Sequence, residues 1–103
     1  MTPTQRSLAY LRDQGYVAEV VERWNPFARR RIDLFSVIDI VCLGDGETIG
    51  VQTTSASNVS ARVKKITASE HLPALRRAGW RLVIHGWRKN AAGKWVLREV
   101  DLS

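Results

Sequence analysis

A single carboxylate, Asp39, interrupts an apolar run that extends from Phe35 to Leu43. The run, FSVIDIVCL, has the length and the β-branched content of a buried strand. An ionised aspartate inside such a strand is costly unless a cation, a metal or several hydrogen-bond donors meet it. Asp39 therefore constrains the fold strongly, because its surroundings must be polar where the rest of the strand is not.

The Asp-Gly dipeptide at positions 45–46 predicts a tight hairpin turn directly after this strand. With these two residues in the turn, Leu43 pairs with Thr48, and the same register places Asp39 opposite Gln52. Side chains two residues apart on a strand share a face of the sheet. We therefore expect a hairpin over residues 34–43 and 48–54, with a polar cluster of Asp39, Gln52 and Thr54 on one face.

A carboxylate and an amide oxygen on adjacent strands can hold a hard cation such as Mg²⁺ or Mn²⁺, with backbone carbonyls and water completing the oxygen shell. On this interpretation the ligands are Asp39, Gln52 and the carbonyl of Thr53. A buried hydrogen bond between Asp39 and Gln52 explains the same pair without a metal. The pattern leaves both interpretations open.

Charge is distributed unevenly along the 103 residues, which carry a net charge of +6. Residues 1–50 hold six Lys and Arg against seven Asp and Glu, whereas residues 51–103 hold ten against three. A basic half beside a buried acid favours an anionic polymer as the partner. The alternative is a protein whose charges only keep it dispersed.

The remaining pattern predicts one domain, an α/β fold in which helices flank a mixed central sheet. We expect helices near residues 4–14, 59–68 and 71–78, and further strands over 16–24, 81–87 and 94–102, with residues 27–32 as a loop or strand entry. No apolar stretch approaches the ~20 residues of a membrane span, and the N-terminal residues lack a signal-peptide core. We therefore expect no membrane association and a cytoplasmic protein.

The order of elements, with an acid in one central strand and a second polar motif in the next, resembles the PD-(D/E)XK nuclease superfamily. The segment RIDLFSVIDIVCLGDGETIGVQTTSASNVSARVKKI is similar to small phage and prophage members of this group. The group is related to Holliday-junction resolvases and virus-type replication-repair nucleases. The resemblance covers residues 4–87 and implies a restriction-endonuclease-like αβββαβ core.

The resemblance implies a site in which the family's aspartate falls on Asp39, its second acid on Gln52 and its lysine on Thr54. A glutamine keeps an oxygen ligand but removes a charge, and a threonine removes the cation that would stabilise the reacting phosphate. Lys64 or Lys65 of the next helix could replace that lysine. Three other acids, Asp33, Glu19 and Glu22, could restore the missing carboxylate.

The function implied is hydrolysis of DNA phosphodiester bonds with Mg²⁺ or Mn²⁺, in the manner of an endonuclease or junction resolvase. We expect Asp39, Gln52, Thr54 and Lys65 to be catalytic. Members of this group often act as dimers, so a homodimer is a further expectation. The alternative is a catalytically inactive relative that binds DNA or a protein. The residues expected to contact DNA are Arg29, Arg30, Arg31, Ser57, Asn58, Arg62, Lys64 and Lys65.

Overall fold

The computed structural model describes all 103 residues and contains three α-helices, a short 3₁₀ turn and seven strands. The helices are α1 (Pro3–Asp13), α2 (Val59–Thr67) and α3 (Leu72–Arg77), and the 3₁₀ turn (Ala56–Asn58) leads directly into α2. The strands are β1 (Val17–Val20), β2 (Arg23–Asn25), β3 (Arg30–Ile32), β4 (Ile40–Gly44), β5 (Glu47–Ser55), β6 (Arg81–Lys89) and β7 (Trp95–Asp101).

Five of the strands form one mixed sheet in the order β1-β4-β5-β6-β7. β5 and β6 are parallel, as a crossover through α2 and α3 requires, and the other neighbours are antiparallel. The fold is therefore α/β with a mixed sheet flanked by helices, as the sequence predicts.

The hairpin of β4 and β5 has the predicted register, with Leu43 paired with Thr48 and Gly44 with Glu47. The two turn residues, Asp45 and Gly46, have φ of 48° and 77°. A two-residue hairpin turn with both φ values positive matches the twist of the strands, which is why Asp-Gly is favoured there. The register prediction is confirmed.

The strand predicted over residues 34–43 is wrong in its first half, because β4 begins only at Ile40. Phe35 and Ser36 have positive φ, and the backbone N–H groups of Val37 and Ile38 donate to the carbonyl of Leu34. This segment is a turn in which Val37 and Ile38 are nevertheless buried against α2 and α3, whereas Phe35 is 44 % exposed. A buried turn and a buried strand give the same apolar run, so periodicity could not separate them.

The prediction of one strand over residues 16–24 is also wrong, because this part of the chain forms two separate strands, β1 and β2. The N–H groups of Val21 and Glu22 both point to the carbonyl of Asp39, at 2.8 and 3.4 Å, and the chain leaves the main sheet there. β2 then pairs only with β3, the segment containing Arg30 and Arg31. A separate two-stranded hairpin therefore projects from the edge of the main sheet.

Each face of the sheet carries one apolar core. The α1 face buries Leu11, Ala18, Ile40, Cys42, Ile49, Val51 and Val83, and the opposite face buries Val37, Ile38, Val59, Ile66, Leu72, Leu75, Leu82 and Ile84. Alternation along the strands then places Asp39 and Gln52 on the face that α2 covers.

A buried hydrogen-bond network ties α1 to β6. Trp87 Nε1 donates to Ser7 Oγ at 2.8 Å, so the hydroxyl of Ser7 is free to donate to Nδ1 of His85, 3.0 Å away. Burial lowers the pKa of His85, which favours this neutral arrangement. The network holds α1 in place over the sheet.

None of the helices is both long and apolar enough to cross a membrane.

Gly86 allows the start of α2 to approach the sheet. A Cβ at this position would overlap Val59 Cγ2 and would lie 3.2 Å from the backbone Cα of Ala56. We predict that Gly86→Ala lowers the free energy of unfolding by about 1–3 kcal/mol, because the backbone of the 3₁₀ turn must shift. Urea unfolding measures this, with the exposed Arg88→Ala on the same strand as the control, expected to change stability by less than about 0.5 kcal/mol. Equal effects of the two substitutions would contradict the close packing.

Candidate metal centre

Asp39 lies immediately before β4 and is almost fully buried, with 4 % of its surface exposed. Its Oδ2 atom accepts hydrogen bonds from Gln52 Nε2 at 2.8 Å, from the backbone N–H of Thr53 at 2.8 Å and from Thr53 Oγ1 at 3.2 Å. The hairpin register produces these contacts, because it brings the end of β5 beside the start of β4. The buried carboxylate is thus met by three donors, as its position requires.

Two further carboxylates lie beside Asp39, contributed by Glu22 and Asp33. One oxygen from each of the three groups falls within 4.8 Å of the others. Both added acids flank the β2–β3 hairpin: Arg23 pairs with Ile32, so the next positions outward are Glu22 and Asp33. The hairpin therefore closes its own two ends on the start of β4.

Gln52 and Lys65 connect this acid cluster (Glu22, Asp33 and Asp39) to the sheet and to α2. Gln52 Nε2 donates to Asp33 Oδ2 at 3.2 Å as well as to Asp39. Lys65 Nζ lies 3.3 Å from Asp33 Oδ2, and Arg31 lies 4.0 Å from Glu22. Two cationic side chains thus contact the acid cluster, Arg31 from the β2–β3 hairpin and Lys65 from α2.

The pKa values of the two central carboxyls move in opposite directions. Burial, with the adjacent Asp33, raises the pKa of Asp39 to about 7. Burial alone would raise the pKa of Asp33, but hydrogen bonds from Asp39 and Gln52 and the charge of Lys65 hold it below its ordinary value. The pair therefore retains one proton well above the pH at which free carboxyls lose theirs.

One buried polar atom beside the acid cluster, on Gln52, has no hydrogen-bond partner. Gln52 is buried, and its Oε1 atom makes no hydrogen bond. Gln52 Nε2, not this oxygen, faces Asp33 and Asp39, so the oxygen could bind a cation beside the acids only after the amide turned over. Carboxylate and amide oxygens are hard ligands of the kind that Mg²⁺ and Mn²⁺ prefer. The residues present therefore fit a divalent metal.

The acid cluster opens into a cleft of about 510 Å³ that no hydrophobic residue lines. Thr4 of α1 reaches this cleft and shares a 2.7 Å hydrogen bond with Thr53. The cleft is lined by Pro3, Thr4, Glu22, Arg31, Asp33, Asp39, Gln52, Thr53, Thr54, Ser55, Arg62 and Lys65. The acid cluster could hold a metal, and the cationic side chains around it could contact a phosphate ester bound to that metal.

Most residues singled out from the sequence meet in this cleft. It contains Asp39, Gln52, Thr53, Thr54, Lys65, Arg62 and Arg31, and Arg30 lines an adjoining depression with Asp33 and Lys65. Four others lie outside it and are exposed: Arg29, Ser57, Asn58 and Lys64. Glu19 also faces solvent and pairs with Arg12 at 3.7 Å.

Glu22 and Asp33 are the residues that sequence reasoning underrated, since it treated them only as candidate replacements for a missing ligand. The Asn25-Pro26 turn signal could have identified them. A hairpin closed around that turn brings together residues on either side of it, whereas a continuous strand from residue 16 to 24 would not.

Comparison with protein-family models finds no match, and comparison with curated proteins finds none either.

The raised pKa of Asp39 predicts a pH dependence of stability in metal-free buffer. Between the ordinary carboxyl value of 3.8 and about 7, the unfolded chain has lost this proton while the folded chain retains it. The free energy of unfolding should therefore fall as the pH rises through this window and level off above it. Urea unfolding at several pH values measures the slope.

Asp39→Asn is the matched variant, because the amide resembles the protonated acid and does not titrate. The free energy of unfolding of this variant should not decline as the pH rises through the same window. A variant with the same pH slope as the wild type would contradict the assignment of the proton to this pair.

Proposed function

We propose that this protein is a metal-dependent nuclease that hydrolyses DNA phosphodiester bonds, in the manner of an endonuclease or junction resolvase. The observation that carries the proposal is the convergence of Glu22, Asp33 and Asp39 at one end of a polar cleft that also contains Arg31, Arg62 and Lys65. The resemblance of the Asp39 and Gln52 strands to PD-(D/E)XK nucleases supports the same reaction.

The metal would be Mg²⁺ or Mn²⁺, held by the three carboxylates, and Gln52 would add its Oε1 atom once the amide turned over from Asp33 and Asp39. Such an ion polarises a phosphoryl oxygen and lowers the pKa of water bound to it. The protein's part is to bind and orient the phosphate. Lys65, which lines the cleft, would contact the reacting phosphate, and Arg31 and Arg62 would contact its neighbours along the DNA backbone.

Lys65 takes the role that the lysine of the nuclease motif would have at Thr54. Thr54 is buried on β5, whereas Lys65 reaches the cluster from α2 on a flexible side chain. Its ion pair with Asp33 is partly exposed, and such pairs contribute less than about 1 kcal/mol. The ammonium group can therefore exchange the carboxylate for a phosphate at little cost. We further propose that the reaction takes place in the cytoplasm and that the protein acts as a homodimer.

A second candidate function is binding without catalysis. The observation that favours it is that the carboxylates already have partners within the chain: Gln52 Nε2 donates to Asp33 and Asp39, and Lys65 donates to Asp33. A cluster satisfied in this way can be a structural element of a DNA-binding protein.

Metal binding separates the two functions. We predict that Mn²⁺ binds the wild type and that Glu22→Ala, Asp33→Ala and Asp39→Ala each weaken it by about tenfold or more, because each removes a charged ligand. Isothermal titration calorimetry with Mn²⁺ measures the affinity, and plasmid and branched DNA with Mn²⁺, Mg²⁺ or EDTA report cleavage. Glu19→Ala is the matched control, since Glu19 is an acid of the same segment that lies outside the cluster.

Equal Mn²⁺ affinity in Glu19→Ala and in the three cluster variants would remove the metal from this account. DNA binding that weakens steeply with salt, without Mn²⁺ binding or cleavage, would favour the second function.

The two adjacent lysines of α2 provide a sharper test of the cleft. Lys65→Ala should reduce the rate of Mn²⁺-dependent cleavage by about a hundredfold, because it removes the cation nearest the acid cluster. Lys64→Ala should leave the rate nearly unchanged, since Lys64 is exposed and does not line the cleft. Single-turnover cleavage measures both rates. A larger effect of Lys64→Ala would mean that the phosphate binds elsewhere.

A further inference from the structure

The β2–β3 hairpin is a separate element whose strands pair only with each other. Two large aromatic side chains on it face solvent: Phe27 is 98 % exposed and Trp24 is 57 % exposed. Neither contributes to either apolar core. A single exposed apolar side chain is ordinary, but two large aromatic side chains exposed on one short hairpin are typical of an interaction surface.

The tip of the hairpin has a defined shape. Asn25 Oδ1 accepts hydrogen bonds from the backbone N–H groups of Phe27 at 2.9 Å and Ala28 at 3.1 Å. Pro26 restricts the backbone before Phe27, and Arg29 after it has a left-handed φ of 52°. Phe27 is therefore presented on an ordered turn rather than on a loose loop.

The charge of the hairpin indicates the kind of partner. Four arginines, Arg23, Arg29, Arg30 and Arg31, accompany the two aromatic residues, and Glu22 is the one acid between positions 22 and 31. A second copy of this hairpin would bring like charges together. Exposed aromatic rings among arginines match surfaces on which nucleic-acid bases stack while the cations contact phosphates.

The position of the hairpin connects it to the acid cluster. Glu22 and Asp33 flank its two strands, and Arg31 lines the cleft. Phe27 is five residues from Glu22, and extended chain spans about 3.3 Å per residue, so the tip lies within roughly 17 Å of the acids along the chain. A nucleic acid bound in the cleft passes within reach of the tip.

We propose that Trp24 and Phe27 stack on unpaired bases, so that the preferred substrate is DNA that is single-stranded or opened near the phosphate to be cut. Paired bases within a duplex present only their edges in the grooves, and their ring faces are covered by neighbouring bases. A stacking surface beside the cleft therefore selects DNA with exposed base faces. This inference rests on the proposed function for its substrate, but its own test measures binding alone.

The experiment compares one oligonucleotide sequence as a single strand and as a duplex, in EDTA, so that no cleavage occurs. Fluorescence anisotropy gives the affinities, and 2-aminopurine in the single strand reports stacking through quenching. Phe27→Ala and Trp24→Ala should each weaken single-strand binding by between about fivefold and about a hundredfold and should reduce the quenching. Duplex binding should be unchanged, since it depends on the arginines.

Two control variants separate stacking from other effects. Phe27→Leu keeps an apolar side chain but has no ring, so it should behave like Phe27→Ala. Leu43→Ala removes an exposed apolar side chain at the opposite end of β4 and should bind both DNAs like the wild type.

The inference is overturned if Phe27→Ala and Trp24→Ala bind the single strand as tightly as the wild type, or if they weaken duplex binding equally. Absence of binding to either DNA would also overturn it, as would a change in oligomeric mass with no change in DNA affinity. If the stacking effect is found but Mn²⁺ supports no cleavage, the proposed nuclease fails and the stacking surface stands.

Discussion

The carboxylate of Asp39 is the group on which the arrangement of the site depends. It is buried before a central strand, and an unpaired charge there would be strongly destabilising. Its donors come from β5, its neighbouring acids from the β2–β3 hairpin, and the cation beside them from α2. Thr53, which donates to Asp39, also contacts Thr4 of α1. Four separate parts of the chain therefore meet around one buried acid, and this fixes the position of the cleft.

The parts of this site that could be predicted are those set by local sequence. The Asp-Gly turn fixes the register of β4 and β5, and the register alone brings Gln52 to Asp39. The positions of Glu22 and Asp33 depend instead on where the chain leaves the main sheet. That departure occurs at residues 21–22, where two N–H groups share the carbonyl of Asp39. No turn residue in the sequence marks it, because Val20 and Val21 lead directly into Glu22 and Arg23 without a glycine, proline or asparagine.

The apolar run before Asp39 failed as a strand prediction for a related reason. Val37 and Ile38 are buried as deeply as any strand residue, but the backbone that carries them is a turn with Phe35 and Ser36 at positive φ. An apolar run indicates that its side chains are buried, but it does not indicate whether the backbone is a strand or a turn. The turn has a consequence for the site, since it separates Asp33 from Asp39 by a reversal of the chain. A continuous strand would have kept these two residues on one line, too far apart to share a proton.

The β2–β3 hairpin carries the exposed aromatic tip and is flanked by two of the candidate metal ligands, Glu22 and Asp33, although it is a short element. A pair of three-residue strands is marginal in isolation, and this pair has no strand of the main sheet beside it. At its base, Gln52 and Lys65 each donate a hydrogen bond to Asp33, and Arg31 lies within ion-pair distance of Glu22. The same acids are the candidate metal ligands, so a cation that neutralised their repulsion would also draw the two ends of the hairpin together. On the proposed function, the orientation of the aromatic tip would then depend on the charge of the acid cluster.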